Sequence, residues 1–180
     1  MRSKGQLEQV RAFRKFLPRV KEPWTLRMVG TCRQSIKDQD YLTAVRDEAR
    51  GLPVEFLVNT DRGSILRSLA KAKLFWHTTG LGVDELKRPE HAEHFGIATV
   101  EAMRAGCVPI VIESGRQREI IENGVTGFLV QDLSELIQKT AALACDGRLI
   151  TLLGGARVNA ARILRETSLN NDSWGSSRNV

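Results

Sequence analysis

Two glutamates eight positions apart bracket the stretch of the chain with the clearest chemical potential, Glu93-His94-Phe95-Gly96-Ile97-Ala98-Thr99-Val100-Glu101. The run passes from a polar segment into a helical pattern that Gly106 closes as a C-terminal cap. A helix that starts at Gly96 and Ile97 leaves its first-turn amides without intrahelical partners, and such amides favour a phosphate. Gly96 lets the backbone approach that ligand closely. Glu101 lies one turn beyond Ile97 on the same face. Its carboxylate is therefore placed to accept hydrogen bonds from hydroxyls beside the phosphate, for which a ribose diol is a natural candidate. Glu93, just before the helix, is placed to accept from a second polyol such as a sugar. The bare spacing of two acids describes only a solvated helix; the surrounding residues give it meaning.

For these groups to converge, other elements must carry them. Residues 5–17 set Leu7, Val10, Phe13 and Leu17 at helical spacing, and Pro18 ends the pattern. Residues 25–32, 54–58, 74–78, 107–112 and 127–130 read as short apolar strands. Helices are expected over 37–50, from a cap at Asp61 to residue 71, over 97–105, briefly near Glu119, and over 134–145 and 148–165. Residues 80–94 form a long polar connection, a length that usually serves function. Helices and strands alternate without hairpin signals, which predicts an α/β fold with a parallel sheet and helices on both faces. Ligands of such folds bind at the carboxyl ends of the strands. The chain opens on a helix rather than on a central strand, so an inner sheet edge is expected to lack its neighbour.

Composition narrows the function classes. The 180 residues suit one domain, and 42% apolar with 27% charged residues describes an ordinary globular protein. Three separated cysteines, Cys32, Cys107 and Cys145, predict reduced thiols in a cytoplasmic protein rather than a disulfide framework or a zinc site. A net charge of +6 comes from scattered basic residues without interleaved aromatics, so a nucleic-acid partner is not expected. Neither a signal peptide nor a bilayer-spanning run is present in the sequence.

The stretch from Glu93 to Glu101, with Phe95-Gly96-Ile97 inside it, resembles the E-x7-E motif of retaining glycosyltransferases with the GT-B fold. The next segments, EAMRAGCVPIV and EIIENGVTGFLV, are similar to that family's, as is the Lys4-Gly5-Gln6 start of the first helix. The resemblance runs from about Lys4 to Arg165. It implies the C-terminal, Rossmann-like donor domain of a GDP-mannose or UDP-glucose enzyme, occupying residues 1–167 with a polar tail at 168–180. It further implies that Lys4 binds the donor diphosphate, that Glu93 with the backbone of Phe95, Gly96 and Ile97 holds the transferred sugar, and that Glu101 binds the ribose. Asn59 and Thr60 would cradle the base, mostly through backbone. Where the family carries a glycine pair this chain reads Gly115-Arg116, which sets a bulky cation near the donor sugar. The family's partner arginine, a few residues before Lys4, and an N-terminal acceptor domain are expected on a segment this chain lacks, and the first strand is expected to be missing. The implied partners are a nucleotide sugar and a separate acceptor domain or chain, with peripheral membrane association open to the full enzyme. Neither metal nor cofactor is expected.

Other features read plainly. Asp38-Gln39-Asp40 mimics a metal-binding DxD but falls where aspartates favour a helix start. His77, His91 and His94 lack partners at metal-ligand spacing; His94 is placed to line the cleft, and His77 ends a strand in a position open to the site. Trp24, Phe75 and Trp76 are expected in the core, and Gly51, Gly80 and Gly82 in turns. No GxGxxG or GxSxG signature appears. The expected activity is transfer of a hexose with retention. The competing readings are a non-catalytic remnant or split-enzyme subunit, and an unrelated Rossmann-type nucleotide-sugar binder.

Overall fold

A computed structural model describes residues 5–84, 87 and 93–155. Helix α1 (Gln6–Phe16) tightens into a 3-10 turn at Leu17–Arg19, where Pro18 cannot continue an α-helix. There follow β1 (Leu26–Gly30), α2 (Ile36–Glu48), β2 (Val54–Val58), α3 (Arg62–Lys71) and β3 (Leu74–His77). The second half holds α4 (Ile97–Ala105), β4 (Val108–Ile112), α5 (Gln117–Ile120), β5 (Phe128–Val130), α6 (Leu133–Cys145) and α7 (Gly147–Gly155). The expected extension of the last helix to 165 and the tail at 168–180 lie outside the described residues.

Local chemistry accounts for most boundaries. Asp61 caps α3 by accepting from the Ser64 amide at 2.9 Å, and Asp132 caps α6 through the Glu135 amide at 2.9 Å. Helix α2 places Asp38 in its first turn, as the helix-start reading expects, while the capping role falls to Ser35, which accepts from the Asp38 amide at 3.2 Å. Gly106, at φ 92°, closes α4 as expected.

All strand pairs are parallel. Strand β1 pairs with β2, and β3, β4 and β5 pair in that order. The described strands thus form two groups, β1-β2 and β3-β4-β5, in keeping with the expected inner edge that lacks its neighbour. Helix α1 bridges the two parts. Its Val10 packs with Met28 of β1 and Val45 of α2, while Phe13 and Phe16 pack with Trp24, Trp76 and Ile110. Strand β4 is buried along its whole length. Val108, Ile110 and Ile112 face α1 and α6, and Val111 faces Val100 and Met103 of α4. That two-sided burial is the reason the strand reads as a continuous apolar run. Pro109 fits this central strand because β5 begins opposite Ile110, one residue too late to need a proline amide. Complete burial of Phe16, Ile110, Leu136 and Leu143 contributes about 1.5–3 kcal/mol for each side chain. Together these contacts hold the carboxyl ends of β3 and β4 in a fixed relation to the start of α4.

Candidate functional site

The carboxyl ends of β3 and β4 meet closely. Gly80, just past β3, lies so near Ser114, just past β4, that a Cβ on it would stand 2.1 Å from Ser114 Oγ. Gly80 is therefore a close-approach residue as well as a turn. At the other side of β3, the start of α1 is docked by Thr78, whose hydroxyl donates to the Gly5 carbonyl at 3.3 Å and accepts from Gln9 Nε2 at 3.0 Å. Lys4, the residue the sequence assigns to the diphosphate, lies outside the described residues.

Glu93 is gripped from several directions. Its Oε1 accepts from the Gly96 amide at 3.0 Å and faces the Phe95 amide at 3.4 Å. Its Oε2 lies 3.2 Å from His77 Nε2, and the two side chains are only 11% and 12% exposed. Its carbonyl accepts from the Arg116 amide at 2.9 Å. Gly115, at φ 52°, presses on the same backbone, so that a Cβ there would stand 2.2 Å from the Glu93 carbonyl oxygen. The amides of Phe95 and Gly96, offered to a ligand by the sequence, are thus engaged by Glu93 itself.

Helix α4 begins at once beyond this clamp. Gly96 is doubly constrained, by φ 64° and by Ile120, whose Cδ1 would be 2.2 Å from an added Cβ. The first intrahelical bond runs from the Val100 amide to the Gly96 carbonyl. By helix geometry the amides of Ile97, Ala98 and Thr99 have no backbone acceptor. Phe95 and Ile97 are exposed around this helix start.

One turn further, Glu101 is less enclosed, at 23% side-chain exposure. Its Oε1 accepts from Arg62 Nη2 at 2.5 Å. Arg62 opens α3 and is 74% exposed. Asn59, which precedes it, has φ 53°, the one positive value among described non-glycine residues. Its side chain is committed to the backbone of Cys32: Oδ1 accepts from the amide at 2.9 Å and Nδ2 donates to the carbonyl at 3.1 Å. Asn59 and Thr60 thus offer backbone rather than the Asn59 amide group. Arg116 donates from Nε to Glu119 at 3.0 Å, which turns its guanidinium along α5.

Four buried polar atoms at the strand ends and beside α4 lack a hydrogen-bond partner among the described residues: His77 Nδ1, Thr79 Oγ1, Ser114 Oγ and Gln117 Oε1. Each such atom costs about 1–3 kcal/mol unless it is satisfied. Gln117 holds the helix through Thr99, donating from Nε2 to its hydroxyl at 3.0 Å. The sequence placed His77 at a strand end near the site, and gave no signal for Gln117, Thr99, Ser114 or Arg62, whose neighbours are set by packing. His91 is outside the described residues, and His94 is exposed beside Phe95. Among the described residues no three His, Cys, Asp or Glu side chains converge as a metal would require. No helix among them is long and apolar enough to cross a membrane.

Comparison with known proteins gives a consistent result. Residues 1–143 match the family described as glycosyl transferases group 1. The chain is 30% identical over 169 residues to the human GDP-Man:Man(3)GlcNAc(2)-PP-Dol alpha-1,2-mannosyltransferase, covering 86% of this chain and 32% of that protein. A shorter stretch of 53 residues is 40% identical to a glycogen synthase of Xanthomonas campestris, covering 29% of this chain and 11% of the synthase. Among solved structures, the C-terminal domain of a group 1 glycosyl transferase (LpcC) from Francisella tularensis superposes with a TM-score of 0.73 at 20% identity, over 91% of this chain and 80% of that one. Anabaena HepE, in complex with UDP and glucose, gives a TM-score of 0.72 at 22% identity, over 92% of this chain and 44% of HepE. The fold is that of a C-terminal GT-B domain, and the chain spans about a third of the human relative.

Proposed function

The chain belongs to the glycosyl transferases of group 1, and from that premise we propose that it is the donor-binding half of an enzyme that transfers a hexose from a nucleoside diphosphate sugar with retention of configuration. The donor is of the GDP-mannose or UDP-glucose type, and the acceptor binds to a separate N-terminal domain or chain. The observation that carries this reading is an open helix start standing between two carboxylates held in different ways. One is clamped and nearly buried, and the other is half-open and tethered once.

Departure of a nucleoside diphosphate builds negative charge on its oxygens. The free amides of Ile97, Ala98 and Thr99, at the positive end of α4, and the ammonium of Lys4 stabilise that charge without a metal or cofactor. Glu93 orients the sugar. Its rigid clamp suits a group that must stabilise an oxocarbenium-like sugar in one position. Glu101 Oε2, which has no partner among the described residues, accepts from the ribose hydroxyls. The backbone of Asn59 and Thr60 lies toward the base, and Gly115 and Arg116 toward the sugar. The full enzyme works in the cytoplasm, with peripheral membrane association where the acceptor is lipid-borne.

A thermal-shift titration with UDP-glucose, GDP-mannose and the free diphosphates tests this, with Glu101→Ala beside the wild type. One donor should raise the melting temperature, and the variant should lose the shift. Failure of every nucleotide to stabilise the wild type would sink the donor-site reading. Donor binding without turnover, after the acceptor half is supplied, would favour a non-catalytic binder instead.

A further inference from the structure

Gln117, the first residue of α5, is 0% exposed, and only one end of its side chain is engaged. Its Nε2 donates to the Thr99 hydroxyl at 3.0 Å, whereas Oε1 is buried without a partner among the described residues. A methionine would fill a similar volume without burying an unsatisfied acceptor. Fold stability therefore does not account for an amide at this position.

What the amide reaches is the first turn of α4. Thr99 is the third residue of that helix and is 0% exposed, so its side chain lies on the inner face of the helix start. Two contacts from α5 seat the turn. Ile120 Cδ1 stands 2.2 Å from where a Cβ of Gly96 would be, which sets how near the helix start comes. An apolar contact of this kind carries no direction. The hydrogen bond from Gln117 to Thr99 does, and it sets how the turn is rotated about the helix axis. Gln117 is itself fixed from the turn beside Glu93. Its amide donates to the Ser114 carbonyl at 3.2 Å, and the neighbouring Gly115 presses on the Glu93 backbone.

We propose that Gln117 is a positioning residue for the diphosphate, fixing through Thr99 the direction of the Ile97, Ala98 and Thr99 amides at some cost to fold stability. The inference rests on the reading of that helix start as the diphosphate site. Hydrogen bonds weaken steeply away from linearity, so a set of backbone donors serves an anion only when the whole turn is held in one rotation. A turn left free to rotate must be ordered as the ligand binds, which lowers affinity. Residues 114–117 thereby hold both ends of the donor, pressing on Glu93 at the sugar and orienting α4 at the diphosphate.

The test is equilibrium binding of UDP, GDP, their nucleosides and inorganic pyrophosphate to the full chain, with urea unfolding of the same proteins free of ligand. The variants are Gln117→Met, Thr99→Val and the two combined. Gln117→Met should bind UDP, GDP and pyrophosphate about tenfold more weakly. Its affinity for the nucleosides should change by less than about twofold, and it should resist urea at least as well as wild type. Thr99→Val keeps the shape and removes the acceptor, so it should lose the diphosphates to a similar extent. The double variant should lose no more than either single one, since both remove the same bond. Unchanged diphosphate affinity in Gln117→Met, or losses that multiply in the double variant, would overturn the proposal. So would a drop in urea resistance that parallels the loss of binding, which assigns Gln117 to packing. Wild type alone checks the underlying reading. UDP and GDP that bind no better than their nucleosides, with no binding of pyrophosphate, remove the helix-start site and the proposal with it. Wild-type preference for the diphosphates, unaltered in Gln117→Met, removes only the role of Gln117.

Discussion

Glu93 and Glu101 are the same residue type on the same stretch of chain, yet the molecule treats them in opposite ways. Around Glu93, two backbone amides, a histidine, a glycine and the Arg116 amide converge on one residue that is nearly buried. Around Glu101, one exposed arginine makes the sole contact to the carboxylate among the described residues. The first environment fixes a side chain before any ligand arrives, which suits a group that acts on a reacting sugar. The second leaves a carboxylate and its partner able to adjust to a nucleotide, which suits binding and selection. Preorganisation is concentrated on one side of the helix start and adaptability on the other.

The contrast is most easily broken at Gly115. A methyl group there meets the Glu93 carbonyl oxygen at 2.2 Å and must adopt φ 52°. Gly115→Ala should destabilise the fold by about 2 kcal/mol or more, read by thermal or urea unfolding. Arg62→Ala in the same assay should lose less than about 1 kcal/mol. Equal losses would show that the two regions do not differ in rigidity.

His77→Ala should sharpen the comparison through binding. Loss of the contact to a nearly buried carboxylate should weaken a nucleotide sugar by roughly tenfold, in line with hydrogen bonds to charged groups. The free diphosphate, which does not need Glu93, should bind as before. A variant that loses both ligands equally would mean that His77 supports the helix start as a whole.

The smallest effect is expected from acid. Two hydrogen bonds from Ser64, led by its hydroxyl, hold the Asp61 carboxyl below its ordinary value of 3.8. A carboxylate with a depressed folded-state pKa contributes stability that is complete above its unfolded value and is lost as pH falls through the folded one. Hydrogen exchange in the first turn of α3 should therefore quicken below about pH 3.8 in wild type, and Asp61→Asn should flatten that dependence. An unchanged profile would remove the cap from the account of how Arg62 is placed.

Much of this fold is legible in the residues alone because its signals are short-ranged. The apolar run of β4, the Pro18 stop, the Asp61 cap and the Gly106 terminus each act within a few positions. Asp38 lies in the first turn as expected, and the cap itself falls to Ser35 because the helix begins at Ile36. The candidate site was legible as a motif and not as a geometry. Glu93, Gly96 and Glu101 stand out in the sequence, but the engagement of the Phe95 and Gly96 amides by Glu93 depends on a rotamer that His77 helps to set.

The sequence by itself determined which segments become helices and strands, that the strands run parallel, and which helix start carries the glycine and the two acids. Those outcomes follow from side-chain periodicity and local backbone preference, which neighbouring residues express without help. Only the tertiary structure decided that His77 meets Glu93 and that Arg62 meets Glu101. Those partnerships join residues on separate elements. Their distances are set by how helices settle on the strands, and no local pattern in the chain encodes that.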